Sequence, residues 1–290
     1  MRVLITCDDV GMTSSATSQQ VEAWRSGLVD GLSIVANGAA VDDLEALLAS
    51  EPAANLRVAV HLNLSEGPPT AAPREVADLL STDGWLDRGF VDTWLGAIGV
   101  HRRDLLRQVR REWQAQIDRV RRAIGSRRLS ALDGHRHVHM PPPLFELAAR
   151  LAADNGIPEI RISREPPHLS RALGDLAPRA LAAGTIKHAV LRGCARHART
   201  VAGRLPLSSP DWTVGVLYSG RLTRSAAAAG VAAARTRTGD LVEVVCHLGR
   251  ALPDELKRWQ GGRGAWRFYC HPNRDRELAE LKAWRSRCPR

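Results

Sequence analysis

Chemically reactive side chains follow four short apolar stretches of this sequence. Apolar runs of this length, bounded by polar residues, are typical of buried strands. In parallel α/β folds the carboxyl ends of the strands meet at one edge, and ligands bind there. Residues that are far apart in the sequence are therefore predicted to converge in one site. They are Asp8 and Asp9, His61, the stretch DGHRHVHM from Asp133 to Met140, and His247.

One carboxylate and two imidazoles are a suitable ligand set for a divalent metal ion such as zinc. Three protein ligands leave a position open for water, and the ion acidifies that water and polarises a carbonyl oxygen. A second carboxylate could accept the proton of the water, and a histidine across the site could protonate a leaving group. These residue types are the ones that metal-assisted hydrolysis needs.

The histidines of DGHRHVHM alternate along the chain, which is the period of a β-strand. On a strand, His135, His137 and His139 would point the same way. Their Cα atoms would then span about 13 Å, so they could not easily all reach one ion. At most one of them is expected to bind a metal directly. The others are expected to support it or to contact substrate.

Each of these positions also has a structural explanation. Asp8 and Asp9 could cap the helix that follows them, because aspartate is a favoured N-cap residue. A single histidine in an apolar strand, such as His61, is ordinarily a core residue. The combination of positions, rather than any one of them, indicates a site.

The elements that must position these residues alternate between apolar strands and amphipathic helices, which predicts a parallel-stranded α/β fold. The predicted strands are 2–6, 32–36, 57–64, 129–133, 159–163 and 241–247. The predicted helices are 14–26, 41–49, 106–124, 144–153, 223–234 and 275–285. No repeat or clear linker interrupts the chain, so 1–290 is expected to be one domain. Segment 166–219 breaks the rhythm and is interpreted as an insertion or lid.

Composition limits the function classes. The formal net charge is +10, almost all of the positive charge is arginine, and the arginines are dispersed without interleaved aromatic residues. This disfavours nucleic acid as a partner. The five cysteines form no CxxC pair, which argues against a disulfide framework or a zinc ribbon. With no signal peptide and no apolar run near the roughly 20 residues of a membrane span, a soluble cytoplasmic protein is expected.

Four blocks of the sequence resemble the signature blocks of the YdjC-like carbohydrate deacetylases, a family that includes the chitooligosaccharide deacetylases. They are TCDDVG (6–11), VHLNLSEGPP (60–69), DGHRHVHM (133–140) and VVCHLG (244–249), in the order and at spacings similar to those of the family. The segments IVANGAAVDD and IPEIRISRE are also similar. The resemblance implies a distorted (β/α) barrel that binds one divalent cation, Mg²⁺ or Zn²⁺. It also implies hydrolysis of an N-acetyl group on an amino sugar, with release of acetate.

The resemblance assigns roles position by position. It implies that Asp9, His61 and His135 bind the metal, that Asp8 is the catalytic base and that His247 is the acid. Substrate contacts or supporting roles are expected for Asn63, Asp133, His137, His139 and Arg161. A homodimer is compatible with the resemblance.

The sequence departs from the family pattern at four positions, none of which removes a proposed catalytic group. The family usually has Ala at Cys7, an aromatic residue at Val10, Ser at Gly134 and Pro at Leu248. Segment 166–219 matches the family poorly.

Two other functions stay open at this point. One is a metal-dependent hydrolase of another amide or ester on the same scaffold. The other is a non-catalytic protein that binds a glycan or a nucleic acid through its arginines. The set Asp8, Asp9, His61 and His135 argues against the second, because a binding protein does not need it.

Overall fold

The computed structural model describes residues 1–49, 56–168, 178–259 and 262–286. Within these residues, seven parallel strands form one sheet with the order β5-β4-β3-β2-β1-β7-β6. The strands are β1 (Arg2–Val10), β2 (Gly31–Ile34), β3 (Arg57–Leu62), β4 (Leu129–Gly134), β5 (Glu159–Ile160), β6 (Trp212–Val214) and β7 (Leu241–Cys246).

Helices surround this sheet, as expected where parallel strands are connected by crossovers. Those in the described residues are α1 (Ser14–Arg25), α2 (Leu44–Leu48), α3 (Phe90–Ile98), α4 (Arg102–Ala123), α5 (Pro142–Asp154), α6 (Pro178–Ala202), α7 (Arg224–Arg235), α8 (Gly262–Tyr269) and α9 (Asn273–Arg285). The six predicted strands and six predicted helices are all present, with shifted ends. Helix α3 lies between predicted strand 57–64 and predicted helix 106–124, where the sequence pattern predicts no helix or strand.

Helix α4 illustrates how the sequence pattern produces the fold. Its apolar side chains recur at steps of three and four, which places them on one face of a helix. Val109, Trp113, Ile117 and Val120 are all fully buried, whereas most of the arginines between them are exposed. The apolar face packs on the sheet and the arginines face solvent.

The sheet curls until its two edges approach each other. Glu159 of β5 forms an isolated parallel bridge with Ser208, and the Ile160 N–H donates to the Ser208 carbonyl at 3.0 Å. The Thr213 N–H of β6 donates to the Arg164 carbonyl at 2.8 Å. The predicted single-domain α/β fold of distorted-barrel type is confirmed.

Segment 166–219 is not simply an insertion, because it contains a strand of the barrel. Strand β6 pairs in parallel with β7 along Trp212–Val214. Only three residues long, this strand lacks an apolar run that a sequence pattern could detect. Helix α6 precedes it, while residues 169–177 of the segment lie outside the described part of the chain.

The histidines of DGHRHVHM do not continue strand β4, so the expectation that their side chains point the same way from a strand is wrong. The strand ends at Gly134, and His135–His137 form a 3₁₀ turn. Arg136 and His137 have φ angles of 49° and 60°, in the left-handed region. This turn directs the three imidazoles to three different environments.

No helix in the described part of the chain has both the length and the apolar character that a membrane crossing requires.

Candidate metal centre and catalytic cavity

The two adjacent aspartates lie at an irregularity of strand β1. The register of β1 against β2 shifts between Cys7 and Val10, and Asp9 has a φ of 64°. In a regular strand, neighbouring side chains point to opposite faces, whereas a bulge redirects one of them. As a result Asp8 and Asp9 are both buried and both line the same cavity. A left-handed backbone at a non-glycine residue is strained, and such strain is concentrated at functional sites.

Asp9 faces two histidines from other strands. Its Oδ1 atom lies 2.9 Å from Nδ1 of His135 and 3.5 Å from Nε2 of His61. One ligand atom from each of the three residues falls within 4.8 Å of the others, and all three side chains are buried. The structure thus brings together the three residues that the family resemblance assigns as metal ligands.

The ring of His61 is held in place from behind. Its Nδ1 atom lies 2.6 Å from Oδ1 of Asp133 and 3.1 Å from the hydroxyl of Ser33, which also donates to Asp133 at 2.6 Å. Metal-binding histidines commonly have a carboxylate on the nitrogen that faces away from the metal, since it fixes both the tautomer and the ring orientation. The Nε2 atom is left directed at Asp9.

His135 has a comparable support that the sequence analysis missed. Its Nε2 atom lies 3.2 Å from the hydroxyl of Tyr269 and 3.5 Å from Oε1 of Glu66. Glu66 is completely buried, and its other oxygen accepts hydrogen bonds from Tyr269 at 3.2 Å and from the Trp259 indole at 2.8 Å. Arg136, next to the histidine, forms an ion pair with the same carboxylate. Glu66 lies within the second signature block, but no local pattern links it to Tyr269.

The donor set fits a divalent cation. Oδ2 of Asp9 has no hydrogen-bond partner among the described residues, although the site is buried. Burial alone would raise the pKa of Asp9, but His135 beside it holds that pKa well below its ordinary value. Burial opposes a charge on His61, yet Asp8 and Asp133 raise the pKa of His61 to about 10. Protons and metal ions compete for the same ligand atoms. The carboxylates around His61 that favour its protonated, positively charged form would also favour a metal cation at this place.

A second group, Asp8, His61 and Asp133, also brings its ligand atoms within 4.8 Å. Both of its carboxylates are already bound to a permanent cation. The guanidinium of Arg161 lies 2.8 Å from Oδ2 of Asp133, and it contacts both oxygens of Asp8. That cation would repel a metal, so the group with Asp9 and His135 is the better candidate.

Asp8 and Arg161 form a buried, two-pronged ion pair. Nη1 and Nη2 of Arg161 donate to Oδ2 and Oδ1 of Asp8 at 2.8 and 3.0 Å. Burial raises the pKa of Asp8 to about 6, even though Arg161 and His61 act to lower it. Asp8 is therefore a carboxylate that is ionised at neutral pH and can still gain a proton readily.

Arg161 is itself held by Glu243, which the sequence analysis did not select. Nε and Nη2 of Arg161 donate to the two Glu243 oxygens at 2.8 and 3.0 Å, and Thr6 donates to the same carboxylate at 2.7 Å. Glu243 is completely buried in β7. The signal in the sequence was present: a single acid inside the apolar run LVEVVC.

His247 directly follows β7 and lines the cavity. Its Nε2 atom lies 3.2 Å from the Ser219 hydroxyl, while its Nδ1 atom has no partner among the described residues. Its backbone is fixed on both sides by α9: the N–H donates to Glu277 at 2.8 Å, and the carbonyl accepts from Arg274 at 2.7 Å. Burial lowers the pKa of His247 to about 3, so the ring is neutral at physiological pH.

Arg274 reaches the site from the far end of the chain. Its Nη2 atom lies 3.8 Å from Oδ2 of Asp9, and its guanidinium lies over the Phe268 ring at 3.9 Å from the centroid. The side chain is almost completely buried. Arginine is common in this sequence and the terminal helix has no signature, so sequence reasoning could not select this residue.

The remaining predicted residues differ in their distance from the cavity. His137 lines it, and its Nδ1 atom lies 2.9 Å from the Ser163 hydroxyl. His139 lies underneath, where it contacts the Arg161 carbonyl at 2.9 Å and burial lowers its pKa to about 4. Asn63 does not line the cavity; it bonds to Asn37 and to the Glu66 carbonyl and so shapes the turn that carries Glu66.

The site opens into a cavity of about 500 Å³. This volume lies within the range of small-molecule sites, roughly 300–1,000 Å³. One wall carries the ionisable residues described above. The cavity is also lined by Lys187 of α6, by the aromatic residues Phe268 and Tyr269, and by Gly215, Val216 and Ser219.

Several solved structures are similar to this chain. A protein from Enterococcus faecalis V583, whose proposed role is cellobiose-phosphate cleavage, aligns over 98% of this chain and 92% of its own, with a TM-score of 0.67 and 21% identity. This degree of likeness establishes a shared fold. D-allulose 3-epimerase from Methylomonas sp. covers 99% of this chain and 98% of its own, with a TM-score of 0.44 and 13% identity, too low to support any inference.

The family comparison covers nearly the entire sequence. The model of the YdjC-like protein family matches residues 2–287, a range that includes all four signature blocks and every residue of the candidate site. The chain belongs to the YdjC-like family.

Proposed function

We propose that this protein is a metal-dependent hydrolase that removes an N-acetyl group from an amino sugar or a glycosylated metabolite and releases acetate. The observation that carries the proposal is the convergence of Asp9, His61 and His135 beside Asp8 and His247 in one cavity. Membership of a family of carbohydrate-processing hydrolases supports a sugar substrate.

Asp9, His61 and His135 would hold the metal ion. When bound there, a divalent ion supplies a more acidic water and polarises the carbonyl of the acetyl group. The protein supplies the orientation: Asp133 fixes the His61 ring from Nδ1, and Glu66 and Tyr269 face Nε2 of His135. Ligands held this rigidly keep the reacting groups in a productive geometry.

Asp8 is assigned as the general base. Its carboxylate is ionised at neutral pH, because its pKa is about 6, and it lines the cavity beside Asp9. Arg161 holds both oxygens, which restricts rotation of the carboxylate while a proton is transferred to it. A base whose pKa lies near the working pH is well suited to this task.

His247 is assigned to the leaving amine. The ring begins neutral, because burial lowers its pKa to about 3, and Nδ1 is unpartnered among the described residues. Attack on the amide creates negative charge nearby, which favours protonation of the ring. The ring can then take up a proton from solvent in the cavity and donate it to the departing nitrogen, while the proton of the attacking water stays on Asp8 and the His247 backbone stays anchored by Arg274 and Glu277.

An acetate-release assay tests the proposal. The purified protein is treated with chelator, reloaded with Mg²⁺ or Zn²⁺, and incubated with N-acetylated monosaccharides, oligosaccharides and glycosylated metabolites. Release that requires the metal and is lost in Asp8→Asn supports the assignment. A protein that releases other acyl groups from amides or esters, but never acetate from these sugars, would instead be the broader type of metal hydrolase.

A further inference from the structure

Lys187 is a cation in the cavity wall that the catalytic assignment does not use. It lies on α6, within the segment 166–219, and it is one of only three lysines in an arginine-rich chain. Its side chain is partly buried and lines the cavity together with His137, Val216 and His247. The electrostatic influence of its charge extends to His137 and His247.

No residue in the described ranges forms a hydrogen bond or an ion pair with Lys187. The carboxylates of the cavity are already engaged: Asp8 by Arg161 at 2.8 Å and Asp9 by His135 at 2.9 Å. Glu165 is near enough to influence Lys187, but its two oxygens accept the N–H groups of Gly215 and Leu217 at 2.8 and 2.7 Å.

A lysine in such a position is costly unless a ligand compensates it. Burial disfavours the ammonium group and lowers the pKa of Lys187. A buried charge is normally paired, and an anion compensates it far better than a neutral hydroxyl does. Because no carboxylate of the described residues forms a hydrogen bond or an ion pair with Lys187, the partner is expected to come with the ligand.

We propose that Lys187 binds an anionic group, a carboxylate or a phosphate, on the molecule that enters the catalytic cavity. The inference rests on the proposed function for the identity of the reacting group, since it adds that the acetylated sugar carries a negative charge. Lys187 would then be a specificity-determining residue, and it is supplied by helix α6 rather than by a strand of the sheet.

The test measures binding and turnover separately. Calorimetry with the metal-loaded, full-length protein compares N-acetylglucosamine with N-acetylglucosamine 6-phosphate and with an N-acetylated hexosaminuronic acid, so that the two anionic arms distinguish phosphate from carboxylate. The variants are Lys187→Met and Lys187→Arg. Lys282→Met is the matched control, because it removes the same charge from an exposed position on α9.

The wild type should bind at least one anionic sugar more tightly than the neutral one. Lys187→Met should weaken that binding about tenfold, leaving affinity for the neutral sugar within about twofold, while Lys187→Arg retains most of it. The control should match the wild type. Equal affinity of the wild type for all three sugars, or an anion affinity unchanged in Lys187→Met because the metal alone binds the anion, would overturn the inference.

Binding also separates the two proposals. If Lys187→Met loses anion binding but no acetylated sugar is hydrolysed, the proposed deacetylation fails and the anion site stands. If the wild type and Lys187→Met both release acetate equally well from neutral and charged sugars, the deacetylase assignment stands and the role of Lys187 is wrong.

Discussion

Arg161 and Asp8 are joined by two hydrogen bonds, of 2.8 and 3.0 Å, and both side chains are buried. The same guanidinium contacts Glu243 and Asp133, so the single positive charge of Arg161 is shared among three buried carboxylates. This arrangement keeps Asp8 ionised in spite of its burial. It also ties the proposed base to strands β4 and β7.

The first prediction concerns Arg161→Lys. Lysine keeps the charge but cannot form the two-pronged contact, so the pKa of Asp8 should rise above about 6. In the wild type, kcat/KM should fall as the pH decreases through about 6, because protonated Asp8 cannot accept a proton. In the variant this decline should begin at higher pH. A pH profile of kcat/KM measures it, and an unmoved acidic limb would contradict the assigned pairing.

The second prediction concerns Asp8→Asn. The asparagine is nearly isosteric but cannot accept a proton, so kcat should fall by about 10²- to 10⁴-fold. Asp8 is outside the proposed ligand set, so the metal content measured by elemental analysis should equal that of the wild type. Full acetate release by this variant would remove Asp8 from the mechanism.

The third prediction concerns Asp133→Asn. The amide breaks the carboxylate–imidazole contact at 2.6 Å that orients His61, so metal affinity should fall about 10- to 100-fold. His61→Ala should lose the metal altogether. Titration of metal into the chelator-treated protein measures both. Asp104→Asn, on the exposed side of α4, is the control and should bind metal normally. Unchanged affinity in His61→Ala would exclude His61 from the ligand set.

The fourth prediction links metal to stability. The pKa of His61 in the metal-free fold is raised from 6.5 to about 10, so the stability it contributes is complete below pH 6.5 and is lost as the pH rises toward 10. The thermal midpoint of the chelator-treated protein should therefore decrease over this range. Metal binding strengthens as the ligands lose protons, so the thermal midpoint of the metal-loaded protein should decrease less over the same pH range. An identical decrease with and without metal would argue against a cation at His61.

The fifth prediction concerns Gly134, where the family usually has serine. A Cβ atom at this position would overlap Nδ1 of the completely buried His139. Gly134→Ala should lower the free energy of unfolding by about 1–3 kcal/mol, as overpacking does. Gly193→Ala on α6 meets no atom within 4 Å and serves as the control, with unchanged or increased stability. Chemical denaturation compares the two, and equal stability would mean that the turn can shift.

Local patterns in the sequence predicted most of the elements. Buried strands such as β3 and β7 are continuous apolar runs, and α4 shows its buried face through the spacing of Val109, Trp113 and Ile117. Because the strands are parallel, the polar residues at their ends necessarily lie at one edge of the sheet. Asp9, His61 and His247 could be placed together on this ground alone.

The same patterns could not predict the turn that separates the histidines. Alternation suggested a strand, but the left-handed backbone of Arg136 and His137 ends it at Gly134. Their conformation is stabilised by distant contacts: Arg136 with Glu66, and His137 with Ser163. A periodicity argument considers only neighbours in the chain and therefore cannot anticipate such partners.

The sequence by itself thus determined the parallel α/β class, the approximate strand ends and the identity of the reactive side chains, because apolar periodicity and residue chemistry are local properties. The tertiary structure alone decided which side chains support them. Tyr269 comes to His135 from 134 positions away, Arg274 comes to the His247 carbonyl from the terminal helix, and Glu243 meets Arg161 across 82 positions. Burial makes these partners necessary, since an unpaired charge in the interior is costly, and only the folded chain determines which residue supplies each one.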